Sequence, residues 1–327
     1  MKISKFILIL WFLIFTLGCK EEITNQRLNG PVFGTSYSIV YDKEQNFQKE
    51  IDSLLEVINA SMSTYRDNSI ISEINKSNGG DVDEHFMEVF NVSKNIYNQT
   101  EGVFDPTIGI LVNAWNFGPE GGIQAVDSSL IDSLKPFVGL DKVVLKGQKL
   151  TKPLKTFIDF NAIAKGYAVD VVGEFLESKN SFNYLVEIGG EIRVRGENKE
   201  SNKPWKVGVE EPHFDGSRSI LKAITLKDAS MATSGTYRKF KVDSLGNRYS
   251  HIIDPDSGYP SNTNLLSISV IASNCMTADA YATAFKAMGI EKVKRFLEEH
   301  TELKAFLIFE NANRELETLS INEFPVK

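Results

Sequence analysis

The chain has 327 residues, a formal net charge of −7, 42% hydrophobic residues and 24% charged ones. That length carries a sizeable core, as one large domain or two small ones, and the composition leaves no reason for disorder. An acidic balance without a long basic run excludes a nucleic-acid backbone as the main partner, although a phosphate ligand needs only local donors.

Lys2 and Lys5 precede an almost continuous apolar run over residues 6–17, too short to span a bilayer comfortably but suited to a signal peptide. It ends at Gly18-Cys19, a pattern similar to a bacterial lipoprotein cleavage site, with Thr16 where leucine is usual. Residues 1–18 are therefore expected to be a lipoprotein signal peptide, Cys19 the lipidated first residue of the mature chain, and 19–30 a tether. This predicts a membrane-anchored protein of the bacterial cell envelope, facing the periplasm or the exterior. Cys275 is then the one cysteine left, so no disulfide framework or cysteine-rich metal site forms, and it reads as a small buried residue.

A single folded unit is expected over 31–327. A strand is predicted at 35–41, then a helix with Phe47, Ile51, Leu54, Leu55 and Ile58 on one face. A short helix ending near Gly79-Gly80 follows, and a long one carrying Phe86, Val89, Phe90, Ile96 and Tyr97, stopped by Gly102. Residues 102–107 form a turn with Asp105 in it, and 116–122 an irregular loop. A strand-like segment at 156–160 runs into a helix that continues to about Ser178. Further strands are predicted at 184–188, 191–196, 205–210, 220–226, 265–272 and 304–309, with an alanine-rich helix over 274–289. Without strict β-α-β alternation, the fold class is α+β, with mixed or largely antiparallel sheets, packed helices and two lobes.

Common catalytic patterns are absent: no phosphate loop, Gly-x-Gly-x-x-Gly turn, His-Glu-x-x-His pair or Gly-x-Ser-x-Gly elbow. With four histidines spread along the chain, His85, His213, His251 and His300, the sequence argues against a histidine-based zinc site. What remains is oxygen-rich. Asp279 and Thr283 stand four apart on one helix face, among Ala, Met, Tyr and Phe. Such a carboxylate needs a partner, and a hard cation such as Mg²⁺ is one. The alternative is a helix cap at Asp279 with Thr283 bonded back to its carbonyl. Asp105 and Asp254 precede prolines and read equally as turn residues, whereas Asp159 ends an apolar strand. Lys165, at a helix start, either neutralises a phosphate or pairs with Asp159. His251 is the best general-base candidate, and the hydroxyl-rich stretch 233–237 is either a pyrophosphate cradle or a plain turn.

Eight stretches, in order, are together similar to the ApbE family of flavin transferases. They are Gly34-Thr35; Met62-Ser63-Thr64-Tyr65; Gly102-Val103-Phe104-Asp105-Pro106-Thr107-Ile108-Gly109 with Leu111-Val112-Asn113; Asp159-Phe160-Asn161-Ala162-Ile163-Ala164-Lys165-Gly166-Tyr167-Ala168-Val169-Asp170; Gly189-Gly190; Ala232-Thr233-Ser234-Gly235; Ser250-His251-Ile252-Ile253-Asp254-Pro255 with Gly258; and Met276-Thr277-Ala278-Asp279-Ala280. The resemblance implies two lobes around a flavin-binding cleft, and Mg²⁺-dependent transfer of the FMN half of FAD to a Thr or Ser hydroxyl of a target protein, releasing AMP. It implies Asp279, Thr283 and the backbone oxygen of Ala162 as metal ligands. Phe33, Tyr65, Val103, Phe104, Asp105, Asp159, Lys165 and Ile253 would line the FAD site. His251 would be the base, acting with the metal held by Asp279. The acceptor would be an extracytoplasmic redox protein. An FAD pyrophosphatase and a non-catalytic FAD-binding lipoprotein are the competing readings. Phe33 departs from the pattern, standing where methionine is common.

Overall fold

Eight strands form one sheet in the order in which they occur in the chain, and every strand pair among the described residues is antiparallel. They are β1 (Gln26–Val32), β2 (Thr35–Tyr41), β3 (Tyr184–Ile188), β4 (Glu191–Arg195), β5 (Ala229–Gly235), β6 (Leu265–Ala272), β7 (Lys304–Glu310) and β8 (Leu316–Ile321). The structure is a computed structural model that describes residues 25–120, 126–237, 240–242 and 248–326. The expected signal peptide and Cys19 lie outside the described residues.

Excursions from this meander supply the helices. Between β2 and β3 lie α1 (Gln48–Met62), α2 (Ile70–Asn75), α3 (Glu84–Gln99), α4 (Gly109–Ala114), α5 (Ser128–Leu134) and α6 (Ala164–Ser178); between β6 and β7 lie α7 (Cys275–Met288) and α8 (Ile290–Glu299). Ile51, Leu55, Ile58 and Met62 give α1 one buried face at helical spacing. At the end of α3, Glu101 and Gly102 both take positive φ and the Gly102 N–H returns to the Tyr97 carbonyl at 2.8 Å, the stop expected of this glycine.

All eight residues of β6 are buried, because both faces of the sheet are covered. Its Ile268 and Val270 join the helix-side core, while Ile271 joins a second core with Trp205, Val207, Ile224 and Phe306. That second core sits beneath a three-stranded sheet of Glu197–Asn198, Lys203–Glu210 and Ile220–Leu226. A third, small core of Leu111, Ile131, Val138 and Ile253 ties α4 and α5 to the segment after His251. The α+β class with antiparallel sheets holds.

Three local expectations fail, each for a physical reason. The sheet begins at Gln26, so residues 26–30 of the expected tether are strand; Leu28 alone is buried there, and an edge strand this polar has no alternating apolar signal. Residues 156–160 are extended but not a strand beyond one bridge, Ile108 to Phe157. Their backbone is occupied elsewhere: the Asn75 side chain bonds both N–H and C=O of Ile158 at 2.8 Å, and Asp159 N–H donates to the Pro106 carbonyl at 2.7 Å. The stretch 233–235 is not a turn but the end of β5; small hydroxyl residues disguise a central strand whose Thr233 and Ser269 hydroxyls bond each other at 2.8 Å.

The helices α6 and α7 cross with their N-terminal turns in contact. A Cβ on Gly166 would stand 2.4 Å from the Cys275 carbonyl oxygen, so only glycine allows this approach. Across the contact, Asp170 of α6 accepts from the N–H groups of Cys275 (2.9 Å) and Met276 (2.8 Å), and Asp279 of α7 accepts from the Gly166 N–H at 3.0 Å. Each helix thus places a carboxylate on the free N–H groups and positive dipole end of the other. Asn274 supplies the local cap of α7, accepting from Thr277 N–H at 2.8 Å. Asp279 is therefore not the cap of its own helix, and Thr283 turns to the Ser234 hydroxyl (3.4 Å) rather than to the Asp279 carbonyl.

Two stability predictions follow from this packing. Asp170→Asn leaves one acceptor oxygen where Cys275, Met276 and Arg193 now use two. It should cost about 2–3 kcal/mol, read from the urea midpoint; a loss near zero would refute the reciprocal capping. Lys286 is 1% exposed, and its only hydrogen bond among the described residues is to the Thr263 hydroxyl at 3.3 Å. Burial lowers its pKa from 10.5 to about 8. A depressed lysine destabilises the fold wherever the charged form must be buried. The cost is full below pH 8 and disappears above 10.5, where the unfolded lysine is itself neutral. Lys286→Met should therefore raise stability by roughly 3 kcal/mol at pH 7, with the gain fading towards pH 10.5 in pH-resolved melts.

Candidate active site

A cavity of about 1060 Å³ opens where the three cores meet. Every described residue that the resemblance assigns to the metal, FAD or base role lines it: Phe33, Tyr65, Val103, Phe104, Asp105, Asp159, Ala162, Lys165, His251, Ile253, Asp279 and Thr283. Asp254 does not. It is a turn residue, accepting from Asp256 N–H at 2.9 Å, as the alternative reading of that Asp-Pro pair has it.

One wall is built on the α6–α7 crossing. Ala162 sits just before α6, and Lys165 and Gly166 are in its first turn, which has no side-chain cap of its own. Asp279 is 5% exposed; its Oδ2 takes the Gly166 N–H, and its other oxygen carries no hydrogen bond among the described residues. Lys165 pairs not with Asp159 but with Glu191, at 2.6 Å. Burial pushes the carboxyls of Asp279 and Glu191 up, against the opposing pull of the Lys165 ammonium. Burial works against the Lys165 charge as well, but Glu191 first and Asp279 second outweigh it and hold its pKa above the usual lysine value. Two buried carboxyl groups thus share one ammonium at this wall.

Glu191 is the residue that sequence reasoning missed. It follows the Gly189-Gly190 turn, in which both residues take positive φ, as a two-residue hairpin of twisted strands requires. A carboxylate straight after such a turn, at the first position of the next strand, was the available signal.

The rest of the lining is largely aromatic and loop-borne. Phe33 and Gly34 form the β1–β2 turn with φ of 48° and 73°, an uncommon state for a bulky residue and one that holds the ring at the cavity rim. Tyr65 is 61% exposed, between α1 and α2. Phe104 is buried, its N–H held by the Thr100 hydroxyl at 3.1 Å. Asp105 accepts from Thr107 N–H (2.8 Å) and hydroxyl (2.6 Å), and burial raises its pKa; it shapes the turn as well as lining the cavity. Asp159 similarly holds Asn161, through N–H at 2.8 Å and side-chain amide at 3.1 Å. His251 packs edge-on against Phe117, with ring centroids 6.3 Å apart. Its segment is anchored by the Ile253–Pro260 bridge and by Trp115, whose indole N–H donates to the Gly258 carbonyl at 2.9 Å.

No group of three or more His, Cys, Asp or Glu suited to a metal occurs among the described residues. A cation here would instead meet one carboxylate oxygen of Asp279, the Thr283 hydroxyl and the Ala162 carbonyl. This all-oxygen set suits a hard ion that keeps positions open for water or phosphate. The Asp279 oxygen that carries no hydrogen bond among the described residues fits such an ion. The N-terminus of α6, with Lys165 on it, fits an anionic group beside it.

The sequence profile of the ApbE family matches residues 33–307. The chain is 38% identical over 291 residues to the FAD:protein FMN transferase of Vibrio cholerae, covering 86% of each, and 35% identical over 313 residues to that of Haemophilus influenzae, covering 90% of each. The solved flavin transferase ApbE from Vibrio cholerae superposes with a TM-score of 0.83 at 35% identity, over 92% of this chain and 98% of that one. Shared family profile, near-complete coverage and shared fold together make this chain a member of the ApbE family.

Proposed function

We propose that the protein moves the FMN half of FAD onto a Thr or Ser hydroxyl of an acceptor protein, with Mg²⁺ as cofactor and AMP as the second product. The observation that carries this reading is that one cavity of about 1060 Å³ is lined by the start of α6 with Lys165, by Asp279 and Thr283, by His251, and by the rings of Phe33, Tyr65 and Phe104. Membership of a family whose relatives bear the name FAD:protein FMN transferase supports it.

In this reading FAD lies with its rings against Phe33, Tyr65 and Phe104, lined also by Val103 and Ile253, and with Asp105 and Asp159 meeting its polar edges. Its pyrophosphate rests at the N-terminus of α6, where Lys165 and backbone N–H groups offset its charge. Asp279, Thr283 and Ala162 would hold the cation, which when bound supplies further neutralisation of the phosphate oxygens. His251 accepts the acceptor hydroxyl proton as the new oxygen–phosphorus bond to FMN forms. The bond from that phosphorus to the bridging oxygen breaks, and AMP leaves with the bridging oxygen. A lipid anchor at Cys19 would hold this domain at a membrane of the cell envelope, where the acceptor would be an extracytoplasmic redox protein; no helix among the described residues is long and apolar enough to cross a membrane.

The test is to incubate the protein with FAD, Mg²⁺ and a candidate acceptor, following acceptor mass and free AMP. Acceptor gaining FMN in step with AMP is expected; AMP and free FMN without labelling would replace transfer by hydrolysis, and neither product would leave a storage protein. Asp279→Ala should abolish Mg²⁺-dependent turnover while FAD binding, measured by flavin fluorescence, survives. For His251→Ala, transfer should slow by about 10²–10⁴-fold with FAD affinity little changed; a wild-type rate would remove it as the base.

A further inference from the structure

Lys165 has two buried carboxylates within electrostatic reach and pairs with one. Its ammonium lies 2.6 Å from Glu191 Oε1, whereas no ion pair joins it to Asp279, although Asp279 bonds the backbone of the next residue, Gly166. The choice is built into β4. Glu191 is 3% exposed at the first position of that strand, and the turn before it is held by the Gly190 N–H on Glu187 Oε1 at 2.6 Å. The stem of Lys165 runs over this turn: a Cβ on Gly189 would stand 3.5 Å from Lys165 Cδ and 2.8 Å from Thr35 Cγ2. The second oxygen of Glu191 is buried and has no hydrogen-bond partner among the described residues.

We propose that Glu191 is a positioning residue: it holds the Lys165 ammonium off Asp279, so that the unbonded Asp279 oxygen stays open to a divalent cation. Without this hold, the nearest counter-charge for Lys165 is Asp279, and a lysine bound there competes with the cation for the same oxygen. The inference rests on the reading of Asp279, Thr283 and Ala162 as the cation site. It adds that occupancy of this site is governed by a residue that need not touch the ion. It also explains why a buried carboxylate beside Asp279, costly in itself, is tolerated in the wall.

The test is a double-mutant cycle read as Mn²⁺ affinity, by electron paramagnetic resonance of the free ion, on the full chain without flavin. Thermal melts confirm that each variant is folded. Glu191→Gln should weaken Mn²⁺ binding by about tenfold or more in the presence of Lys165. In the Lys165→Met background, the same Glu191→Gln change should have little effect, because no ammonium remains to fall onto Asp279. An equal loss in both backgrounds would reduce Glu191 to a general negative charge and overturn the proposal, as would unchanged affinity in Glu191→Gln. If wild type takes up no Mn²⁺ that Asp279→Asn abolishes, the cation site itself falls, and the proposal with it.

Discussion

The reciprocal capping of α6 and α7 is the constraint on which the site depends. Two helices start against each other, each supplying a carboxylate to the other's unsatisfied N–H groups, over a contact that only Gly166 permits. Burying those amides without partners would be costly, and burying the carboxylates without donors more so. Together they satisfy one another. The same contact places Asp279, Thr283, Ala162 and Lys165 on rigid elements at the cavity wall, with α7 buried on nearly every side against the sheet. A site built on helix starts and strand ends varies less in geometry than one on loops, which suits a cation with exacting coordination.

The two walls of the cavity solve different problems. The polar wall concentrates the N-terminus of α6, Lys165 and two buried carboxyl groups, Asp279 and Glu191. The aromatic wall has to offer flat surface, and it does so from turns: Phe33 at positive φ, Tyr65 exposed at the rim. Strain at Phe33 is tolerated because the β1–β2 register leaves two residues for the reversal and Gly34 absorbs the second positive φ. His251 comes from a third place, a segment fastened by the small core around Ile253 and by Trp115.

Much of this was legible in the chain, and the failures are instructive. Strong apolar periodicity placed α1, α3, β2 and β3 closely. Elements whose signal is polar were lost: β1 at an edge, and β5 with its serines and threonines facing neighbouring hydroxyls. The segment 156–160 has strand composition, yet Asn75 and Pro106 take its backbone bonds, which no local pattern announces. For Asp279 the local alternatives were cap or ligand. The structure makes it a cap, but of another helix, with an oxygen to spare.

By itself the sequence determined the α+β class, the main periodic elements and, through motifs in order, which residues belong to one site. Those follow from local chemistry: side-chain period, turn glycines, and carboxylates stranded in apolar surroundings. Only tertiary structure decided pairing. That Lys165 answers to Glu191 rather than Asp159, and that Asp170 and Asp279 exchange caps, depend on residues far apart in the chain. Charges are settled by distance and burial, and neither is written in the order of residues.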